Sequence, residues 1–112
     1  MIGATGAVRV WARSQPTDLR KGFSGLAGLV EKELGGDLVS GDLFLFVSRT
    51  RNSAKVLHWD GTGLCIYSKR LAGRRFAAVW ERGERGTVRL SMAELGLFLE
   101  GAVRTRMAKT GP

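Results

Sequence analysis

Cysteine, histidine and proline are scarce in this chain: its 112 residues include one cysteine, one histidine and two prolines. A lone Cys65 excludes an intrachain disulfide and any zinc cage built from cysteines. Its place in an apolar run reads as a buried, inert thiol. No apolar stretch approaches the ~20 residues a membrane span requires. The opening Met1-Ile2-Gly3-Ala4-Thr5-Gly6 lacks the basic and apolar regions of a signal peptide. The chain is therefore expected to be cytoplasmic and to contact no membrane. With 44% hydrophobic and 25% charged residues, it has the composition of an ordinary globular domain.

What the chain has in excess is positive charge, and all of it lies in one part. Residues 1–42 carry five Lys/Arg and five Asp/Glu, which cancel. Residues 43–112 carry 13 basic and 5 acidic side chains, and so hold the whole net charge of +8. Such asymmetry points to a polyanionic partner, nucleic acid above all.

The residue pattern predicts the following elements. Val8-Arg9-Val10-Trp11-Ala12 alternates weakly, as a short strand does. Thr17 or Asp18 is a candidate N-cap for a helix whose apolar stripe is Phe23, Leu26, Ala27, Val30 and Leu34, closed by Gly35-Gly36. Gly22, Gly25 and Gly28 weaken that helix, so close approach to a neighbouring element is expected there; no P-loop lysine follows them. Leu43-Phe44-Leu45-Phe46-Val47 is a continuous apolar run suited to a central, covered strand. Strands over 55–60 and 64–68, joined by Asp60-Gly61-Thr62-Gly63, complete a meander. Two further short strands are expected over 75–80 and 87–90, joined by a polar turn over 81–86. Ser91-Met92-Ala93-Glu94 has the spacing of a capping box. It opens a second helix with Met92, Leu95, Leu99 and Val103 on its buried stripe and Gly101 near its end.

These elements predict an α+β fold: a mainly antiparallel, twisted sheet of five or six strands with two helices packed on one face. Residues 1–103 form a single domain, and 104–112, with Arg104, Arg106 and Lys109, form a basic flexible tail.

The meander gives the charge a geometry. Antiparallel strands reverse at each turn, so the loop over 48–53 and the end of the next strand but one share an edge. Arg49, Arg51 and Lys55 should there meet Lys69, Arg70, Arg74 and Arg75, with Arg89 and the second helix N-terminus beside them. Asp60 and the turn over 81–86 should occupy the opposite edge. Arg20 and Lys21, near the first helix start, read equally as anion ligands or as partners of Asp18. Trp11, Trp59, Trp80, Tyr67 and Phe76 could stack on unpaired bases, although Trp59 and Phe76 are better suited to the core.

Catalysis has little to stand on. His58 and Asp60 are two apart on a strand and could pair, but no nucleophile motif and no second metal ligand accompany them. The spacing of Asp18, Asp37, Asp42 and Asp60 gives no reason for them to converge around divalent ions. No cofactor or metal is expected, and the chain reads as a non-enzyme.

Several motifs together resemble the small TnpB accessory proteins of the insertion sequence 66 transposon family. They are Pro16-Thr17-Asp18-Leu19-Arg20-Lys21-Gly22-Phe23 with Gly25-Leu26, and Gly41-Asp42-Leu43-Phe44-Leu45-Phe46. Lys55-Val56-Leu57-His58-Trp59-Asp60-Gly61-Thr62-Gly63-Leu64, Lys69-Arg70-Leu71, Gly73-Arg74-Arg75-Phe76 and Leu95-Gly96-Leu97-Phe98-Leu99-Glu100-Gly101 follow in order. The resemblance implies a non-catalytic protein needed for transposition, acting beside a larger transposase that carries the strand-transfer chemistry. Family members often continue past the last motif with an Ile-Asp-Trp-like segment, where this chain reads Ala102-Val103-Arg104-Thr105-Arg106. The expected partners are DNA at the element ends, contacted through its backbone, and the transposase of the same element. The alternative is an adaptor that docks on the transposase through Trp11, Trp59 or Trp80 without touching DNA.

Overall fold

Apolar residues on both sides of the central strand dictate the layering. The structure, a computed structural model, describes residues 8–82 and 86–101, with only the backbone at 81 and 82. Within it β2 (Leu43–Val47) turns Phe44 and Phe46 to one face and Leu45 and Val47 to the other, and all four are buried. Both faces therefore need cover. The first is covered by α1 (Phe23–Leu29) and its π-helical continuation Val30–Leu34, through Leu26 and Val30. The second is covered by α2 (Met92–Glu100), through Leu95 and Phe98, with Phe76 and Val79 beside them. The expectation of both helices on one face is thus corrected: the sheet is sandwiched.

Chain connectivity explains this. Strand β1 (Val10–Arg13) pairs in parallel with β2, so the intervening α1 must cross over one face. Strands β3 (Ser53–Trp59) and β4 (Leu64–Arg70) follow as an antiparallel meander. The chain then returns across the other face to β5 (Thr87–Leu90), which pairs antiparallel with β1. The result is one five-stranded, mostly antiparallel sheet of order β4-β3-β2-β1-β5, an α+β fold.

Local differences from the expected elements have local causes. The first helix starts at Gly22–Phe23 because neither proposed cap is available. The Thr17 hydroxyl accepts from the Arg13 guanidinium at 3.2 Å, and the Asp18 carboxylate accepts from Arg20. Of the close approaches expected at Gly22, Gly25 and Gly28, one occurs, at Gly25, where a Cβ would fall 2.8 Å from the Lys21 side chain; Gly36 is tight as well, with a Cβ 2.7 Å from the Phe44 ring. Residues 75–80 form no strand. Phe76 and Val79 plug the core, and a 3-10 turn spans Val79–Arg82. The capping box forms as expected: the Glu94 N–H donates to the Ser91 hydroxyl, and the Ser91 N–H donates to the Glu94 carboxylate. Met92 lies off the buried stripe and is half exposed; Phe98 takes its place in the core. The opening hexapeptide, Glu84, Arg85, Val103 and the tail cations lie outside the described residues.

Candidate nucleic-acid interface

Backbone pairing brings together residues 15 to 25 positions apart at the end of the sheet where β2 stops. Ser53 pairs with Arg70 and Ala54 with Lys69. Beyond the strands the alignment continues: the Leu71 N–H donates to the Asn52 carbonyl at 2.9 Å, and the Phe76 N–H to the Arg51 carbonyl at 2.6 Å. These two bonds hold the Gly73-Arg74-Arg75 loop against the loop over 48–52. That second loop satisfies its own polar groups. The Thr50 hydroxyl donates to Asn52 Oδ1 at 2.8 Å, the Ser53 N–H donates to the Ser48 hydroxyl, and Arg49 is left exposed. Arg51 adopts a left-handed backbone, φ 64°, without being glycine. That conformation costs an L-residue roughly 1–2 kcal/mol.

The first-helix segment joins the same end. The Thr17 N–H donates to the Val47 carbonyl at 2.8 Å, and Lys55 Nζ donates to the Leu19 carbonyl at 2.7 Å. Arg20 and Lys21 therefore lie here too. Arg20 is committed to Asp18, with Nη2 to Oδ2 at 2.8 Å, which is the ion-pair alternative read from the sequence. The same guanidinium holds the Asp18 carboxyl well below the usual carboxylate range. All nine candidate residues thus gather at one end of the sheet, although strand alternation divides them between its faces. Lys55 and Arg70 point to the α1 face and Lys69 to the α2 face.

Pairing with carboxylates separates these cations from the rest. Arg9 pairs with Asp42, Arg13 with Glu33 and Arg20 with Asp18. Among the described residues Arg49, Arg51, Lys69, Arg70, Arg74 and Arg75 have no carboxylate partner.

Two placements differ from expectation. Arg89 pairs with Trp11 and Leu90 with Val10, near the start of β1, so Arg89 and the α2 N-terminus lie toward the far end of the sheet. Conversely, Thr87 pairs with Arg13 and the Gly86 carbonyl accepts from the Ser14 N–H. Gly86 and the start of β5 therefore lie at the arginine-rich end, not beside Asp60. One unseen feature underlies both: β1 runs parallel to β2, which reverses the direction assumed for β5.

A profile of the IS66 Orf2-like proteins matches residues 8–109. The chain belongs to the IS66 Orf2-like family. Membership makes it an accessory protein of transposition, as the sequence motifs implied. Two uncharacterized proteins of Sinorhizobium fredii (strain NBRC 101917 / NGR234) are among its relatives. y4hO is 40% identical over 94 residues, covering 84% of this chain and 80% of that protein. y4jC is 30% identical over 109 residues, covering 97% and 92%. No solved structure matches.

The remaining candidates of this IS66 Orf2-like chain are placed as follows. Trp11, Trp59 and Trp80, the proposed anchors, are all half-buried, and none stands exposed. Trp11 Nε1 donates to Asp42 Oδ2 at 3.0 Å, with the Arg89 guanidinium over its ring at 5.1 Å. Arg9, Trp11, Gly36 and Asp42 border a cleft of about 300 Å³, but Arg9 and Trp11 already occupy the Asp42 carboxylate there. Phe76 is fully buried, whereas Tyr67 is 51% exposed. Phe23, assigned to the buried stripe from its spacing, is 50% exposed because it is the first residue of α1, ahead of the turn that meets the sheet. No helix among the described residues is long and apolar enough to cross a membrane.

His58 and Asp60 do not pair. Asp60 accepts from the N–H groups of Thr62 (2.9 Å) and Gly63 (3.0 Å) and from the Cys65 thiol at 3.4 Å, which closes the β3–β4 turn. Chiefly through the Thr62 N–H, these bonds lower its carboxyl from 3.8 to about 2. The bond to Asp60 also pushes the Cys65 thiol up, away from the reactive thiolate. A depressed carboxyl contributes stability that is fully present above 3.8 and is lost as pH falls through about 2. The amide signals of Thr62 and Gly63 in a proton–nitrogen titration are therefore expected to shift with a midpoint near 2. A midpoint near 4 would remove these bonds from solution.

Proposed function

We propose that this accessory protein serves transposition by binding the sugar–phosphate backbone of DNA through the rim formed by Arg49, Arg51, Lys55, Lys69, Arg70, Arg74 and Arg75, flanked by Arg20 and Lys21. One observation carries the reading: among the described residues six of these cations crowd one end of the sheet with no carboxylate partner, while Asp18 and Glu33 neutralise Arg20 and Arg13. Like charges held close repel, and bound phosphates would relieve that repulsion. Lys55 acts at one remove, since its ammonium already holds the Leu19 carbonyl and its charge adds to the field. The cations sit on loops and a strand end at the rim and not along a helix that could lie in a groove, which supports recognition directed to the backbone.

The transposase of the same element is the proposed protein partner. An adaptor role without DNA contact draws its support from Met92 and Leu97, which stand exposed on α2 at 52% and 37%. Salt separates the two roles. Gel-shift titration with element ends and with a random duplex should show similar affinities for both. With about five phosphates neutralised, binding should weaken roughly 500-fold between about 50 and 200 mM salt. No shift at the lower salt, together with transposase capture that survives high salt and nuclease, would replace DNA binding with the adaptor.

A further inference from the structure

Phe23 and Tyr67 are the exposed large aromatic side chains among the described residues, at 50% and 51%. Both sit beside the cationic rim, and on opposite flanks of it. Phe23 opens α1 directly after Arg20-Lys21-Gly22, in the segment that Lys55 grips through the Leu19 carbonyl. Tyr67 lies on the edge strand β4, opposite Val56 and two residues before Lys69, so it shares the α2 face with that lysine. The rim is thus a ridge with arginines along its crest and one bare ring on each side.

We infer that the rim takes single-stranded nucleic acid in preference to duplex, with unpaired bases stacking on Phe23 and Tyr67 while the phosphates follow the arginines. This rests on the nucleic-acid reading of the rim given above. A duplex hides its base faces inside the stack and offers only base edges and phosphates, so a bare ring gains nothing from it. A single strand offers a π-face at every nucleotide, and aromatic side chains interleaved with cations are what such a strand requires. Neither helix lays its length along the rim for a major groove to take. α1 lies against the sheet through Leu26 and Val30 and meets the rim only at its start, and α2 reaches it only at its end, where Gly101 packs on Leu71. Other aromatics do not serve: Phe76 is stacked on Phe98 in the core, and Trp11 is half-buried and bonded to Asp42.

The test is fluorescence anisotropy with an oligo-dT strand and a random duplex, each of about 20 nucleotides or base pairs, at about 50 mM salt. The wild-type protein should bind the single strand several-fold more tightly. Phe23→Leu and Tyr67→Leu, which keep apolar volume but remove the ring, should each weaken oligo-dT binding roughly fivefold or more and duplex binding less than about twofold. Phe23→Trp should restore the single-strand affinity. The Arg49→Glu/Arg74→Glu double variant should lose both probes. Duplex binding equal to or tighter than single-strand binding, or ring variants that weaken both probes alike, would overturn the inference and leave the rim reading intact. Failure of the wild-type protein to bind either probe would overturn both.

Discussion

Replacing Arg49, Arg51, Arg74 and Arg75 with glutamate should abolish retention on heparin or DNA while the circular dichroism stays native. Each swap removes a positive charge and adds a negative one, so the four together bring the formal net charge from +8 to zero. The fold should tolerate this because Arg49, Arg74 and Arg75 are exposed, and the loops are held by main-chain bonds at Arg51 and Asn52. A control distinguishes the rim from bulk charge. Converting Arg89, Arg104, Arg106 and Lys109 to glutamate also reaches zero but keeps all nine rim and flanking cations unchanged in sequence, and it should retain most binding. Equal loss in both variants would reduce the rim to ordinary surface charge. The single change Arg51→Gly sharpens the point. Glycine accepts the left-handed backbone at φ 64° freely, so stability should hold or rise by up to about 1 kcal/mol while heparin elution moves to lower salt. A stability loss there would mean that the arginine serves the fold and not a ligand.

Phe76→Ala should destabilise the protein by about 3–5 kcal/mol, a large part of the ~5–15 kcal/mol that holds a domain folded. The Phe76 ring is fully buried and stacks on Phe98 with centroids 5.0 Å apart and planes 11° from parallel. Removing it leaves a cavity between α2 and the sheet and loosens the anchor of the arginine loop, since the Phe76 N–H holds the Arg51 carbonyl. Urea denaturation measures the first effect. Heparin elution of the folded fraction measures the second, and it should shift to lower salt. Phe76→Leu should cost less, because most of the volume remains. A cost below about 1 kcal/mol for the alanine variant would mean that the loop does not plug the core.

Particular residues show how far pattern alone carried the description. The run Leu43-Phe44-Leu45-Phe46-Val47 announced a strand covered on both sides, and that strand is the centre of the sheet. A run of that kind asks for a helix on each face, a consequence that the one-sided arrangement ignored. Asp60-Gly61-Thr62-Gly63 and Ser91-Met92-Ala93-Glu94 were legible because turns and caps are local: the groups that satisfy each other are three residues apart. Residues 75–80 misled because Phe76, Ala78 and Val79 look like strand residues when their burial comes from plugging a core. Phe23 misled because helical spacing continues to the first residue of a helix, whereas contact with the sheet does not.

Chain pattern by itself determined the meander, the capped second helix, the surplus of cations after residue 42 and the family motifs, since each depends on near neighbours or on composition. Only the tertiary structure decided that β1 lies parallel to β2, and three consequences followed from it: a helix on each face, β5 at the far edge, and Arg89 away from the rim. Strand order and direction are set by which buried surfaces meet across dozens of residues. No local spacing records that choice. The hairpin that gathers the rim cations could be foreseen because its register follows from short turns, whereas their lack of a carboxylate partner among the described residues emerged only once Asp42, Glu33 and Asp18 were seen to neutralise other arginines.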